Sequence, residues 1–554
     1  MSGEMTGLGL ALGMGVVQTS GVAPPVDPDR YMVFATRARM PSGAIYTALA
    51  NNTYICTKIK VGCPQFKTRA FRFHFSGFAS TEGGNSPQET IVTGTLGTPG
   101  NSVIIDEFVL RYRGQFYPVT FNGGSAGVTI ADQTNGIWTD EITIPGDVDA
   151  EGDVELWTVY HVASAGDKVW PVYRVQHHRG ERVWGGASLG AVQAFQATPD
   201  AASTSALISS TGEAGYGQQA QYQHYGPDFM VAKGDWDGRP VALVVADSIG
   251  EARQEYGPNA DARGNLGYLR KWLDRKDTVG RVPHLVIGMP GSASLRELTG
   301  SGSSIATRRW EILDQVKAFN NGKLPFTAIL NQMGQNDTTT SYATWWSRVT
   351  GLASRLRTRY PGVRLVHLVP LGRAANSQEY TDANAVSYSA NNVWPADGTD
   401  ASGKWRLRND LLALKDNVAD AAIDTLAAWQ GSAGLAKPPM YDELPWSSLT
   451  EQAGTDGTAT YQTFQVADGS LYQPEQQLRV YSPDGTTLLG SGSVIAEISG
   501  DTLKLQSAIA TVFPIGARLY QIPVNYGDGL HPMPVLVRQL ATKLADSEKA
   551  KLSA

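Results

Sequence analysis

The feature that most constrains this 554-residue chain is a change of period near residue 240. Beyond it, short apolar runs alternate with amphipathic stretches. "VALVVAD" (241–247) precedes "NLGYLRKWLDRK" (265–276), and "HLVIGM" (284–289) precedes "TRRWEILDQVKAF" (307–319). "FTAILNQM" (326–333) precedes "SYATWWSRVTGLASRLRTRY" (341–360). "VRLVHLVPL" (363–371) is followed, after a polar stretch, by "WRLRNDLLALKDNVADAAIDTLAAW" (405–429), which reads as helix. Apolar runs too short for buried helices, each followed by an amphipathic helix, predict βαβ units around a parallel sheet.

On either side of this region the pattern is that of antiparallel β-structure. "RAFRFHFSGF", "NSVIIDEFVLRYRGQFYPVTF", "GIWTDEITI" and "DVELWTVYHV" cluster or alternate aromatic and β-branched residues between Gly, Pro, Asn and Asp. Asn122-Gly123 and Asp484-Gly485 are tight-turn signals. The expected organisation is multidomain. A flexible Gly-rich arm (1–23) leads into a jelly-roll-like antiparallel β-sandwich (24–165), then a β-extension and linker (166–238). An α/β three-layer domain with a flavodoxin-like parallel sheet (239–450 plus 526–554) follows, carrying a small inserted β-module (451–525). Removing residues 24–235 is expected to spare action on small esters and to weaken action on a polymer.

Composition excludes several classes. A formal net charge of −6 without a basic run gives no footprint for nucleic acid. No segment has the roughly 18 uninterrupted apolar residues of a spanning helix, so no membrane span is expected. The apolar N-terminus has no Lys or Arg before its apolar run and lacks the positive start of a secretory signal. The only cysteines, Cys56 and Cys63, are too few for a structural zinc; they read either as a bridge between neighbouring β-segments or as two core thiols.

Strand ends of a parallel sheet are where side chains meet helix N-termini and do chemistry. Read in order, those ends are "ADSIG" with Ser248, "GMPGSAS" with Gly291 and "MGQND" with Asn336; "GDGLHP", with Asp528 and His531, opens the last helix. Taken singly, Ser248 reads equally as an N-cap, Gly291 as a turn glycine and Asn336-Asp337 as caps of the "SYATWW" helix. Glu251 and Arg253, just after Ser248, read either as lining a cleft or as a solvated helix face. His177-His178 reads as a surface or interface pair.

Together, in this order and spelling, the four blocks resemble the SGNH (GDSL-type) serine hydrolases, over about 240–450 and 526–550. Ala246 departs from the family's glycine. The resemblance implies Ser248 as nucleophile, His531 as general base and acid, and Asp528 as the residue orienting it. It also implies an oxyanion hole from the N–H groups of Ser248 and Gly291 and the Asn336 side-chain amide. No metal and no cofactor are expected. The function expected is hydrolysis of an ester, in particular an O-acetyl group on a carbohydrate or polysaccharide, since β-domains beside a small hydrolase core commonly hold polymers. The alternatives are a lipase-like or general acyl-esterase and a non-catalytic glycan- or receptor-binding tail protein or adhesin. The Gly-rich arm suggests attachment to a virion or another assembly, with homo-oligomerisation as a further expectation. The expected location is extracellular or virion-associated.

Overall fold

The computed structural model describes residues 27–39, 46–47, 52–78, 100–169, 173–176, 179–197, 223–252, 260–288, 293–294, 307–337, 342–371, 404–425, 446–451, 461–472, 477–509, 512–522, 537 and 541–553. The N-terminal arm, His177-His178, Arg253, Gly291, Asp528 and His531 lie outside them.

The period change resolves into a five-stranded, all-parallel sheet. Its spatial order is His284–Val286, Ala242–Val245, Ala328–Asn331, Arg364–Leu368, Ala421–Ile423. In chain order this is 2-1-3-4-5, the flavodoxin-like doubly wound arrangement. Successive side chains point to opposite faces of a strand, and the core divides accordingly. Ala242, Val244 and Ala246 pack with Tyr268, Leu269 and Trp272 of the helix Tyr268–Leu273, and with Val537, Ala541 and Leu544 near the C-terminus. Leu243 and Val245 face the other way, with Trp310 and Leu313 of Thr307–Phe319 and Val349 and Leu352 of Tyr342–Arg359. The chain beyond the inserted module thus returns to the α/β layer.

One predicted helix is corrected. Among the described residues 404–425 the α-helix spans Lys404–Leu412, and Ala421–Ile423 forms the fifth strand. Leu414, Asp416 and Asn417 all have φ between 50° and 54°, which no helix sustains. Beyond that break Asp420 accepts the Leu365 N–H at 2.7 Å, and Asp424 pairs with Arg408. Strand pairing at the sheet edge overrides the alanine-rich helical pattern.

The N-terminal region is a sandwich of two antiparallel sheets. One contains Met32–Val33, Phe229–Gly234, Thr68–Gly77, Thr134–Trp138 and Ile142–Val148. The other contains Arg182–Gly186, Tyr54–Gly62, Asp153–His161, Val103–Tyr112, Gln115–Val119 and Val128–Ile130. Residues 182–186 and 229–234, read from sequence as extension and linker, supply one strand to each sheet. Phe73 and Phe75 meet Phe108 edge-on at 5.0 and 5.1 Å, which fills the space between the sheets.

The opposite face of 68–77 carries Arg72, His74 and Ser76, and this polar alternation does not face solvent. Arg72 lies over the Phe319 ring, and His74 packs on Trp138, which itself meets Phe319 at 5.2 Å. His74 and Ser76 share the buried Asp228 carboxylate. Across the same seam Asn320 exchanges side-chain hydrogen bonds with the Tyr31 N–H (2.7 Å) and carbonyl (3.0 Å). Side chains of the sandwich and of the α/β domain form one continuous apolar core. That continuity argues against the expectation that residues 24–235 can be removed without cost to the α/β domain.

The inserted module is different. Its six strands run in the order Trp446–Ser448, Arg518–Ile522, Gln477–Tyr481, Leu488–Ser499, Thr502–Ile509, Tyr461–Gln465. Leu449 then bridges Val466, joining the ends of the first and last strands, so the sheet closes as a small barrel. Leu478, Val480, Ile495, Leu503, Phe513 and Leu519 are part of a core of its own.

Cys56 and Cys63 are both buried free thiols. They belong to one extended segment, seven residues or roughly 20 Å apart, beyond the approximately 7 Å Cα separation that a disulfide tolerates. The bridge reading is therefore corrected; burial pushes the Cys63 thiol up to about 12.

Candidate active site

A doubly wound sheet opens a crevice where its winding reverses, beyond the carboxyl ends of its first and third strands. Here those are 242–245 and 328–331, paired in register to Val245 and Asn331. Two of the predicted blocks leave the sheet at this point. Ser248 lies three residues past Val245, and Asn336 lies five past Asn331.

The turn carrying Ser248 is built by Asp247. The Asp247 Oδ1 accepts the Ile249 N–H at 2.8 Å, and its carbonyl accepts the Glu251 N–H at 3.0 Å. Its own N–H donates to Gln332 Oε1 at 3.2 Å, while the Gln332 N–H donates to the Val245 carbonyl at 2.8 Å. The capping bond therefore comes from the aspartate beside the serine. A fully buried carboxylate must be met by donors, and the second oxygen of Asp247 is approached by Asn336 Nδ2 at 3.4 Å. This contact brings the serine block and the asparagine block together.

Ala246 sits in ordinary backbone conformation, outside the left-handed region. Its methyl has room because both neighbours are glycine. A Cβ on Gly250 would lie 2.3 Å from it, and one on Gly288 3.3 Å from it. The departure from the family's glycine is therefore accommodated locally.

The third block is anchored by Asp337 and Gly334. Gly334 takes φ 126°, and its carbonyl accepts Trp345 Nε1–H at 3.0 Å, turning the loop back over the helix 342–359. Asp337, read from sequence with Asn336 as a helix cap, is fully buried, and its Oδ2 accepts the Ser294 N–H at 2.8 Å. That bond ties the segment following Gly291 to the segment carrying Asn336.

Glu251 resolves neither as a solvated face nor as an open cleft wall. Its side chain is 2% exposed and lies 3.2 Å from Arg39 and 3.5 Å from Arg270. Burial lowers the Arg270 guanidinium to about 10, and the Glu251 carboxylate opposes that fall. Burial, with the Asp247 charge nearby, raises the Tyr268 hydroxyl above the ordinary tyrosine range. Sequence reading missed Gln332, the Asp337 tie and the arginine partners of Glu251. Gln332 was the most findable, because it directly follows a strand end.

No protein-family model matches the chain, and no curated protein matches it. Among solved structures, it is similar to a carbohydrate esterase family 2 enzyme with a carbohydrate-binding domain from Corynascus thermopiles (Myceliophthora fergusii). That similarity has 11% identity and TM-score 0.22, covering 70% of this chain and 91% of that one. A family two carbohydrate esterase from Clostridium thermocellum in complex with cellohexaose is 12% identical with TM-score 0.17, over 59% and 77% of the two chains. An acetyl xylan esterase from the rumen bacterium Butyrivibrio proteoclasticus is 8% identical with TM-score 0.21, over 62% and 78%. At these TM-scores the overlaps carry no weight for fold or activity, which rest on the chain's own residues.

Proposed function

We propose that this chain is a serine esterase of the SGNH type that removes ester groups, foremost O-acetyl groups, from a carbohydrate or polysaccharide. The observation that supports it is the meeting of the Ser248 turn and the Asn336 loop at the winding reversal of a 2-1-3-4-5 sheet, with the Asn336 amide reaching Asp247. In this reading His531 takes the Ser248 hydroxyl proton as the oxygen adds to the ester carbonyl, and Asp528 holds the imidazole. The N–H groups of Ser248 and Gly291 and the Asn336 amide receive the oxyanion. His531 returns the proton to the departing sugar hydroxyl, leaving an acyl-serine. Water then attacks, its proton passing to His531, and collapse releases the carboxylic acid and regenerates Ser248. The carbohydrate part of the proposal is an analogy from β-domains joined to a hydrolase core.

The test is release of acid from an aryl acetate and from a panel of acetylated polysaccharides, followed by pH-stat. Ser248→Ala is expected to lower turnover by about 10⁴-fold or more. Asn336→Ala is expected to lower kcat on the order of 100-fold. Turnover surviving in Ser248→Ala would sink the nucleophile assignment. Retention of an acetylated glycan by wild-type protein without acid release would favour the non-catalytic binding alternative.

A further inference from the structure

The carboxylate three residues past Ser248 is held by a cation from the N-terminal part of the chain. Residues 38 and 39 leave the sandwich and lie along the edge of the hydrolase sheet. The Ala38 carbonyl accepts the Val286 N–H at 3.2 Å, and Arg39 forms a parallel bridge with Val286. The Arg39 N–H donates at 3.0 Å to the carbonyl of Asp228, whose side chain is locked by His74 and Ser76. Arg39 is thus fixed to both sheets through its backbone. From there its Nη2 reaches Glu251 Oε2 at 3.2 Å, while Arg270 holds Oε1 at 3.5 Å and the Glu251 carbonyl at 3.4 Å.

The turn that Glu251 anchors has little regular structure of its own. Residues 248–252 are turn rather than helix, and Ala252 takes φ 68°, a conformation unfavourable for a residue with a Cβ. A strained turn persists only where its surroundings over-determine it. A carboxylate pinned between guanidinium groups from two parts of the chain does this, with charge-assisted bonds in a site that water barely reaches.

We propose that Arg39 is a positioning residue for the nucleophile: held against both sheets, it fixes Glu251 and through it the Ser248 turn. The sandwich is on this account part of the catalytic unit. The inference rests on the esterase reading, since it is expressed through Ser248.

The test compares wild type, Ser248→Ala, Arg39→Ala, Arg39→Lys and the pair Arg39→Ala/Glu251→Gln. For each, kcat and KM are measured on an aryl acetate, together with the rate of covalent labelling by a fluorophosphonate. Near-UV circular dichroism confirms folding. Arg39→Ala is expected to lower kcat and the labelling rate by roughly 10- to 100-fold with KM within about twofold, and Arg39→Lys to recover part of the loss. In the double variant no buried carboxylate is left short of a partner. If Arg39 only balanced that charge, the pair would recover full kcat; as a positioning residue, the pair stays slow. Full kcat in a folded Arg39→Ala, or in the pair, overturns the inference, and the pair decides the matter should Arg39→Ala fail to fold. Wild-type protein inert in both assays overturns the esterase reading and this inference with it. Wild-type turnover that is lost in Ser248→Ala and undiminished in Arg39→Ala overturns this inference alone.

Discussion

The molecule carries two β-regions that look alike in sequence and differ in how they are attached. Both are runs of short strands with Gly and Asn or Asp at the turns. The sandwich shares its apolar core with the α/β domain, whereas the barrel keeps a core of its own. The difference shows in single strands. In 68–77 the phenylalanines fill the space between the sheets, while Arg72, His74 and Ser76 serve the seam with the α/β domain. Alternation along a strand reports that its faces differ; it does not report that the polar one meets water. A region can therefore be a domain by pattern and part of a larger unit by packing.

The largest effect that bears on this contrast is deletion. Removing residues 27–238 is expected to leave no soluble folded α/β domain, because it strips one side of a shared core. Replacing 446–522 by a short linker is expected to leave the α/β domain folded and, on the proposed function, active on an aryl acetate. Solubility, circular dichroism and turnover check both. A folded, active protein after the first deletion would break the comparison outright.

Paired core substitutions sharpen it. Phe319→Ala at the seam removes the ring that meets Tyr31, Trp138 and Arg72. It is expected to destabilise by about 3 kcal/mol, and calorimetry is expected to show sandwich and α/β domain melting together at a lower temperature. Phe513→Ala in the barrel core carries a similar expected loss of about 3–5 kcal/mol, confined to the barrel's own transition. Its expected effect on aryl acetate turnover is nil.

Acid separates the barrel from the joined sandwich and α/β domain in a third way. Burial lowers His284 from 6.5 to about 3 and His367 from 6.5 to about 4, and both lie on strands of the parallel sheet. The folded protein keeps them neutral while the unfolded chain takes up protons near pH 6.5. Below that pH the unfolded state binds more protons, so stability falls with falling pH, by up to about 1.4 kcal/mol per unit for each histidine. The loss runs from pH 6.5 down to about 4 for His367 and about 3 for His284. Above pH 6.5 the two contribute no slope. Residues 446–522 contain no histidine. Urea melts at pH 7.5 and 5.0 are expected to show the transition of the α/β domain moving to lower denaturant with no histidine contribution to the barrel's shift; His367→Gln in a folded variant should flatten the former.

The smallest effect expected is on the barrel surface. Ile515, 62% exposed, changed to Ser is expected to alter stability by no more than about 0.5 kcal/mol.

The legible parts of this chain were those written in short-range pattern. Apolar runs at 241–245, 284–286, 326–331 and 363–368 announced strands, and "ADSIG" and "MGQND" fell at the ends of two of them. The strand Ala421–Ile423 was hidden because three residues in an Ala-rich context carry no period. Only pairing with 364–368 distinguishes it from helix. The partners of Glu251 were hidden for a different reason. Arg39 lies some two hundred residues earlier in the chain, and no local signal marks a carboxylate that a remote cation will bury. Asp337 was read as a cap because caps are local; its actual acceptor role, to Ser294, joins two loops.

The barrel's first and last segments in chain order, Trp446–Ser448 and Arg518–Ile522, pair with each other, Trp446 opposite Tyr520. Entry and exit are therefore neighbours, about 5 Å apart across a ladder. To the rest of the chain, seventy-odd residues behave as a short closed loop rather than a long open one. An unstructured insert would add loop-closure entropy of about 0.6 kcal/mol for each doubling of its length; a module whose ends are already joined spares the host that increment. By the same reasoning a different small domain with adjoining termini could occupy the position, and the parallel sheet would close across it unchanged.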